Sequence, residues 1–359
     1  MKSELISVLI PDMPQLHDLE DYLRILDREK RYSNFGTLHH QLITRLANYF
    51  SMPADSICLV SNATVGIHAA LSNSGIPEGS LVQVPSFTFT ASVAAVINSR
   101  MKAVLVDIDD DLRAIPRDQH RIIIDVLPFG AGLRNSSWYE QFDFNVIDAA
   151  ASFDSLRNFG TNFHPQSRYV IVVSLHATKL LGAGEGGILI SNDVGIIKQI
   201  KNWSNFGFDT STKDRDSKNL GTNAKMSEYS CAVALASLDR WPQVRSDYIT
   251  NARKAIEFSR AAGFKVHPAM ADGLATPYWI VFDDSETRMQ LLSKSSVQQN
   301  IETRKWWEEG CHKMQAYLTL ETFLLKKTEY TAKRYLGLPF HNFITEDNWQ
   351  RIEALLSAV

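Results

Sequence analysis

Cysteine is scarce in this chain. The three present, Cys58, Cys231 and Cys311, are scattered, odd in number and form no C-x-x-C pair. That spacing argues against a disulfide framework and points to free structural thiols in a reducing cytoplasm. No run approaches the roughly 18 consecutive apolar residues that a membrane span needs. Residues 1–10 carry Lys2 and Glu4 and no long apolar core, so no signal peptide is expected. Neither sign of charge dominates, since the formal net charge is −3. Without a lysine–arginine block, nothing singles out nucleic acid as a partner. Internal repeats and low-complexity segments are missing too. The 359 residues leave room for one large domain and one smaller one.

What is present is an alternation. Apolar runs predict strands over 57–60, 81–84, 103–107, 122–126, 144–147, 169–173 and 188–190. Amphipathic patterns predict helices over 16–27, 37–50, 65–72 and 90–99. Strands alternating with helices imply an α/β fold whose mainly parallel sheet is covered on both faces. Ligands of such sheets sit beyond the carboxyl ends of strands. Ser61, Ser86, Asp148 and Ser174 all fall at or just after such ends. Helices are predicted over 227–239 and 248–262, although one long helix bridging both is also open. Beyond them 276–283 is strand-like, 285–294 helical and 344–359 a terminal helix. The expected division is a large domain, 1–245, and a smaller C-terminal α+β domain, 246–359.

Lys179 stands between two apolar runs that read as core strands, just before Gly182-Ala183-Gly184-Glu185-Gly186-Gly187. The glycines match G-x-G-x-x-G. A dinucleotide site needs that pattern straight after a strand and opening a helix. Here a strand follows, so the run reads as a turn that lets backbone pass close to another object. A lysine amine so placed can form a Schiff base with pyridoxal phosphate (PLP).

PLP chemistry also needs a carboxylate on the ring nitrogen, a phosphate cup and a flat surface against the ring. Asp148 suits the first, and equally suits a turn or helix cap. The order strand, Ser61-Asn62-Ala63-Thr64, helix aims free amides at a phosphate. Ala63, Thr64 and Ser174 suit the cup, with capping as the alternative for the two hydroxyls. Phe89 suits stacking on the ring, or plain core packing.

Several segments carry a resemblance across most of the chain. They are Asn34-Phe35-Gly36, the 61–64 loop, Pro85-Ser86-Phe87-Thr88-Phe89, Val106-Asp107-Ile108-Asp109, Asp148-Ala149-Ala150, His176-Ala177-Thr178-Lys179 with its glycines, and Gly221-Thr222-Asn223-Ala224-Lys225-Met226. Together they resemble the DegT/DnrJ/EryC1/StrS family of PLP-dependent nucleotide-sugar aminotransferases, which have the aspartate-aminotransferase (type I) fold. The resemblance implies that Lys179 carries the cofactor, Asp148 pairs with the pyridinium and Phe89 stacks. It implies that Ala63, Thr64 and Ser174 hold the phosphate. It also implies that Asn223 reaches the phosphate of a neighbouring subunit, hence a homodimer with shared active sites. Asn34 and Phe35 are carried over as substrate-binding residues. No residue is assigned to a metal.

Two departures stand out. Ala151 occupies a position where the family usually has Gln or His, and Asn62-Ala63-Thr64 replaces a more usual Gly-Thr. Lys179 itself argues against the dehydratases of the family, which have His there. The run Ile301-Glu302-Thr303-Arg304-Lys305-Trp306-Trp307 looks like a segment of the subgroup that aminates C4 of dTDP-4-keto-6-deoxyglucose. Arg304 then contacts the sugar diphosphate, and Trp306 or Trp307 flanks base or sugar; an aromatic patch between domains is the alternative. The implied reaction has two steps: glutamate gives its amine to PLP, and the 4-keto sugar nucleotide receives it. A C3 or GDP-sugar aminotransferase, a NAD-dependent oxidoreductase and a non-catalytic regulatory homologue are the competing readings.

Overall fold

The apolar runs pair side by side in a computed structural model, which describes residues 4–117, 121–210, 212 and 216–359. The first part contains α1 (Leu16–Glu29), α2 (Thr37–Phe50), β1 (Ile57–Val60), α3 (Ala63–Ser72), β2 (Leu81–Pro85), α4 (Thr90–Asn98) and β3 (Lys102–Val106). It continues through β4 (Ile122–Val126), α5 (Ser136–Tyr139), β5 (Phe144–Asp148), β6 (Arg168–Ser174), β7 (Gly187–Ile190) and α6 (Val194–Trp203). After α7 (Glu228–Ala261) come β8 (Lys265–Val266), α8 (Pro268–Ala271), β9 (Trp279–Phe282), α9 (Glu286–Gln298), β10 (Glu321–Thr322), α10 (Lys326–Ala332), β11 (Tyr335–Leu338) and α11 (Glu346–Ser357).

The large sheet has the order β1-β7-β6-β5-β4-β2-β3-β10. Its centre is parallel, while β7 runs antiparallel to both β6 and β1. Successive strand residues point to opposite faces. Leu59, Ile147, Ile171 and Ile188 therefore meet Leu42 of α2 and Leu235 of α7 in one core. Val60, Val146, Val172 and Leu189 meet Ile67 of α3 and Val93 of α4 in the other. Burial on both faces is why these strands read as unbroken apolar runs.

Two helices begin on carboxylates supplied from far along the chain. Gly36 precedes α2 and has no side chain to cap it. Glu228 instead accepts from the amides of Gly36 at 2.7 Å, Leu38 at 2.9 Å and His39 at 3.2 Å. A Cβ at Gly36 would stand 2.7 Å from that carboxyl carbon, so a side chain there would push the carboxylate off the helix start. Asp107, at the end of β3, likewise accepts from the amides of Lys327 at 2.9 Å and Thr328 at 2.8 Å in α10.

The expected helices over 227–239 and 248–262 are one. α7 runs unbroken for 34 residues through Pro242. Proline removes an amide and crowds the preceding turn. Leu238, Trp241, Val244 and Tyr248 are all buried in the core beside it. Their packing outweighs the local penalty. The expected division at 245/246 thus falls inside a helix.

The last third forms a second, antiparallel sheet of order β11-β9-β8. Residues near the start of the chain join it: Ile6 bridges Ile301, and the amide of Phe340 donates to the carbonyl of Val8 at 3.0 Å. Among the described residues, no helix is long and apolar enough to cross a membrane.

Candidate active site

Beyond the carboxyl ends of β4, β5 and β6 lies a cavity of about 590 Å³. Its floor begins where β1 turns into α3. The side chain of Asn62 accepts from the amide of Val65 at 2.9 Å, and its carbonyl accepts from Gly66 at 3.0 Å. The amides of Ala63 and Thr64, the next in line, have no acceptor within the helix. Both residues line the cavity, at the positive end of the helix dipole. Gly187, at the start of β7, lies against this turn. A Cβ there would come within 2.8 Å of the carbonyl of Asn62 and 3.0 Å of the nitrogen of Ala63.

Asp148 closes β5 and is only 7% exposed. Its carboxylate accepts from Ser92 Oγ at 2.6 Å and from the amide of Ala150 at 3.2 Å. Burial pushes this carboxyl above its ordinary value; the two hydrogen bonds and the Lys179 charge pull it back in part. A cation brought alongside would restore its charge.

Lys179 is presented by the connection between β6 and β7. Leu175 and Gly186, then Ala177 and Gly184, bond across this loop, and Gly184 turns it with φ +78°. The glycine run therefore links two antiparallel strands, and no helix starts there to hold a pyrophosphate. The lysine Nζ donates to the hydroxyl of Tyr278 at 2.6 Å. Ser174, the last residue of β6, lines the cavity beside it and accepts from the amide of His176 at 3.2 Å.

The opposite wall is aromatic. Trp307 stacks on Phe129 at 4.3 Å between centroids, and Trp306 meets Tyr278 edge-on at 4.9 Å. Gly337 of β11 makes room for Trp306, since a Cβ would lie 2.5 Å from the indole nitrogen. Phe89, at the start of α4, lines the cavity with 60% of its surface exposed.

The sequence pattern of the DegT/DnrJ/EryC1/StrS aminotransferase family matches residues 17–124 and 154–357. The chain belongs to that family. It is an enzyme of the PLP-dependent sugar aminotransferase class. A dTDP-4-amino-4,6-dideoxy-D-glucose transaminase of Shigella dysenteriae is 25% identical over 364 residues, covering 95% of each chain. A crystal structure from Bacillus cereus ATCC 10987, named as a PLP-dependent aminotransferase, superposes with a TM-score of 0.88 at 25% identity, covering 98% of this chain and all of that one. The structure of DesI with its TDP-sugar product gives 0.84 at 26% identity, covering 99% and 93%.

Pyridoxal phosphate is the family's cofactor, and the cavity fits it. A buried carboxylate short of a cation, a reactive amine and an anion-ready helix start all face one space. Of the residues expected from sequence, Ala63, Thr64, Phe89, Asp148, Ser174, Lys179, Trp306 and Trp307 line that space together. Four others lie outside it in this chain. Asn223 is exposed on the segment that bridges Asn205. Asn34 and Phe35 take left-handed φ values of 61° and 59° in the turn before α2, with Phe35 under the ammonium of Lys201. Arg304 is exposed, paired with Glu302 at 2.9 Å and set over the ring of Trp306. Sequence reasoning missed Ser92, Phe129 and Tyr278. Phe129 follows the end of β4, so the strand-end rule had reach enough to find it. Ser92 and Tyr278 arrive by tertiary packing and carry no local signal.

Proposed function

We propose that this aminotransferase moves an amine from glutamate to C4 of a 4-keto-6-deoxy nucleotide sugar, with dTDP-4-keto-6-deoxyglucose as the favoured acceptor. One observation carries the reading: Lys179, Asp148 and the start of α3 face a single cavity whose far wall is Trp306 and Trp307. When bound, PLP supplies a carbon that condenses with amines and a ring that accepts electrons. The chain's residues do the rest. Amides of Ala63 and Thr64 hold the phosphate. Asp148, fixed by Ser92 and Ala150, keeps the ring nitrogen protonated. The Lys179 amine, once free, carries the proton between donor or acceptor carbon and cofactor. The indoles of Trp306 and Trp307 offer flat surfaces to base or sugar. The C4 position and the dTDP group rest on the run around Arg304 and on likeness to the Shigella transaminase.

The same reading includes a homodimer with shared active sites. Among the described residues lining the cavity, Lys179 is the one fixed cation. A cofactor phosphate, a sugar diphosphate and the two carboxylates of glutamate call for more positive charge and more donors than that. In this reading Asn223, Asn34 and Phe35, which do not line their own cavity, serve the site of a second copy. Three buried thiols suit a reducing cytoplasm.

The test is to mix PLP-loaded protein with glutamate and dTDP-4-keto-6-deoxyglucose and identify the product by mass and NMR. An amine at C4 supports the assignment. An amine at C3, or turnover only with a GDP-linked sugar, replaces the acceptor. Loss of the wild-type absorbance near 400 nm in Lys179→Ala should accompany loss of turnover. For the shared site, inactive Lys179→Ala chains are mixed with impaired Asn223→Ala chains. Activity should return in the mixture, because one site of each mixed dimer then keeps both residues. Activity that stays at the level of the separate variants would refute the shared arrangement.

A further inference from the structure

Tyr278 touches the reactive amine and has no role in the reading above. It precedes β9 and so belongs to the second sheet, yet its hydroxyl accepts from Lys179 Nζ at 2.6 Å. The ring is 8% exposed and held from two sides, edge-on to Phe129 at 5.5 Å and to Trp306 at 4.9 Å. Its backbone is fixed as well. The amide donates to Thr276 Oγ1 at 3.3 Å, and that hydroxyl donates to the carbonyl of Phe129 at 2.6 Å. The phenol is therefore aimed before any ligand arrives. The neighbouring position 151, which lines the same cavity, is alanine and offers the amine no polar group.

We propose that Tyr278 is the positioning residue for the proton carried by Lys179. This rests on the aminotransferase reading of the same cavity. When the amine takes a proton from a substrate carbon it becomes an ammonium and donates N–H to the phenol oxygen. When it delivers that proton to the cofactor carbon it is neutral again, and the phenol O–H turns to donate to the nitrogen lone pair. The phenol keeps its own proton throughout, so the exchange is balanced without another reactant. Only the direction of one hydrogen bond reverses. The effect is to hold a flexible lysine on line with the carbon that gives or receives the proton.

The test compares wild type with Tyr278→Phe, both loaded with PLP and mixed in a stopped-flow instrument with a panel of L-amino acids that includes glutamate. The reacting donor is then used with hydrogen or deuterium on its α-carbon. Tyr278→Phe should slow the first half-reaction about ten- to hundredfold, the worth of one hydrogen bond to a charged group. Its deuterium isotope effect should rise, because moving the proton becomes more limiting. PLP affinity of the unloaded protein and the half-saturating donor concentration should stay within about threefold. A half-reaction within twofold of wild type, or one slowed with no rise in isotope effect, would overturn the proposal. Weaker PLP binding with an unchanged rate per bound cofactor would also overturn it and leave Tyr278 a packing residue. Should Tyr278→Phe fail to fold, 3-fluorotyrosine at 278 keeps the shape and makes the phenol more acidic. The rate should then change, and an unchanged rate overturns the proposal. A wild type that reacts with another donor but not glutamate removes glutamate alone. A wild type inert toward every donor removes the aminotransferase reading and this proposal together.

Discussion

Replacing Gly187 by alanine tests whether the start of α3 holds the cofactor. The new Cβ would lie 2.8 Å from the carbonyl of Asn62 and 3.0 Å from the nitrogen of Ala63. Ordinary contacts of this kind need about 3.5 Å, so the two backbones must part by roughly 0.6 Å. The strand cannot yield easily, because Gly187 is paired with Val60 on one side and Ser174 on the other. The turn into α3 must move instead, and with it the amides of Ala63 and Thr64. Overpacking of this kind costs about 1–3 kcal/mol of stability. One weakened hydrogen bond to a phosphate is worth about 2 kcal/mol. That corresponds to PLP binding weaker by roughly 30-fold. Titration of unloaded protein with PLP reads the affinity, and a thermal melt reads the stability. Gly75→Ala is the comparison: its φ of +76° strains any side chain, but nothing lies within 4 Å of the new Cβ. It should lower stability and leave PLP affinity alone. Wild-type affinity in Gly187→Ala, or equal weakening in Gly75→Ala, would refute the argument.

Three further outcomes are expected. Asp148→Asn should weaken PLP binding at least tenfold, and should make the unloaded protein more stable once the pH has passed the raised carboxyl value. The sign follows from the raised carboxyl: the folded chain holds that proton more tightly than the unfolded one, so stability falls as pH climbs through the raised value, and Asn removes the fall. Urea unfolding at two pH values checks it. Burial pushes His39 down to about 3, its ring nitrogens having no hydrogen-bond partner among the described residues. The unfolded chain takes up that proton below its ordinary 6.5, so stability drops as pH falls from there toward 3. Between pH 6.5 and 5 this amounts to about 2 kcal/mol, which His39→Leu should remove from the urea-derived pH dependence. Pro242→Ala should stabilise α7 by about 1–3 kcal/mol, seen as a higher melting temperature. A lower one would mean that the proline is accommodated without penalty.

Much of this was legible in the sequence where the signal is local. The strand ends at Asp148 and Ser174 follow from apolar runs, and Lys179 from its place between two of them. Periodicity leaves α7 open between two helices and one, and the burial of Trp241 and Tyr248 that joins them is not a local signal. Ser92 and Tyr278 were invisible for the same reason: each reaches the cavity from an element whose neighbours only folding decides. Asn223 and Arg304 illustrate the converse. A family pattern names them, but nothing in one chain's periodicity says which cavity they serve.

The remote carboxylates at the helix starts bear on the order of folding during synthesis. α2 emerges early, yet the group that satisfies its first amides is Glu228, about 190 positions later. Asp107 waits some 220 positions for the helix it caps. β1, too, waits for β7, and its Val60 also bridges Lys225. A nascent chain that ends before β7 therefore carries exposed amides and an unfinished sheet edge, the surfaces that chaperones bind and that aggregate when left bare. The native state is sealed only when α7 docks, so truncations before that helix should be insoluble rather than merely inactive.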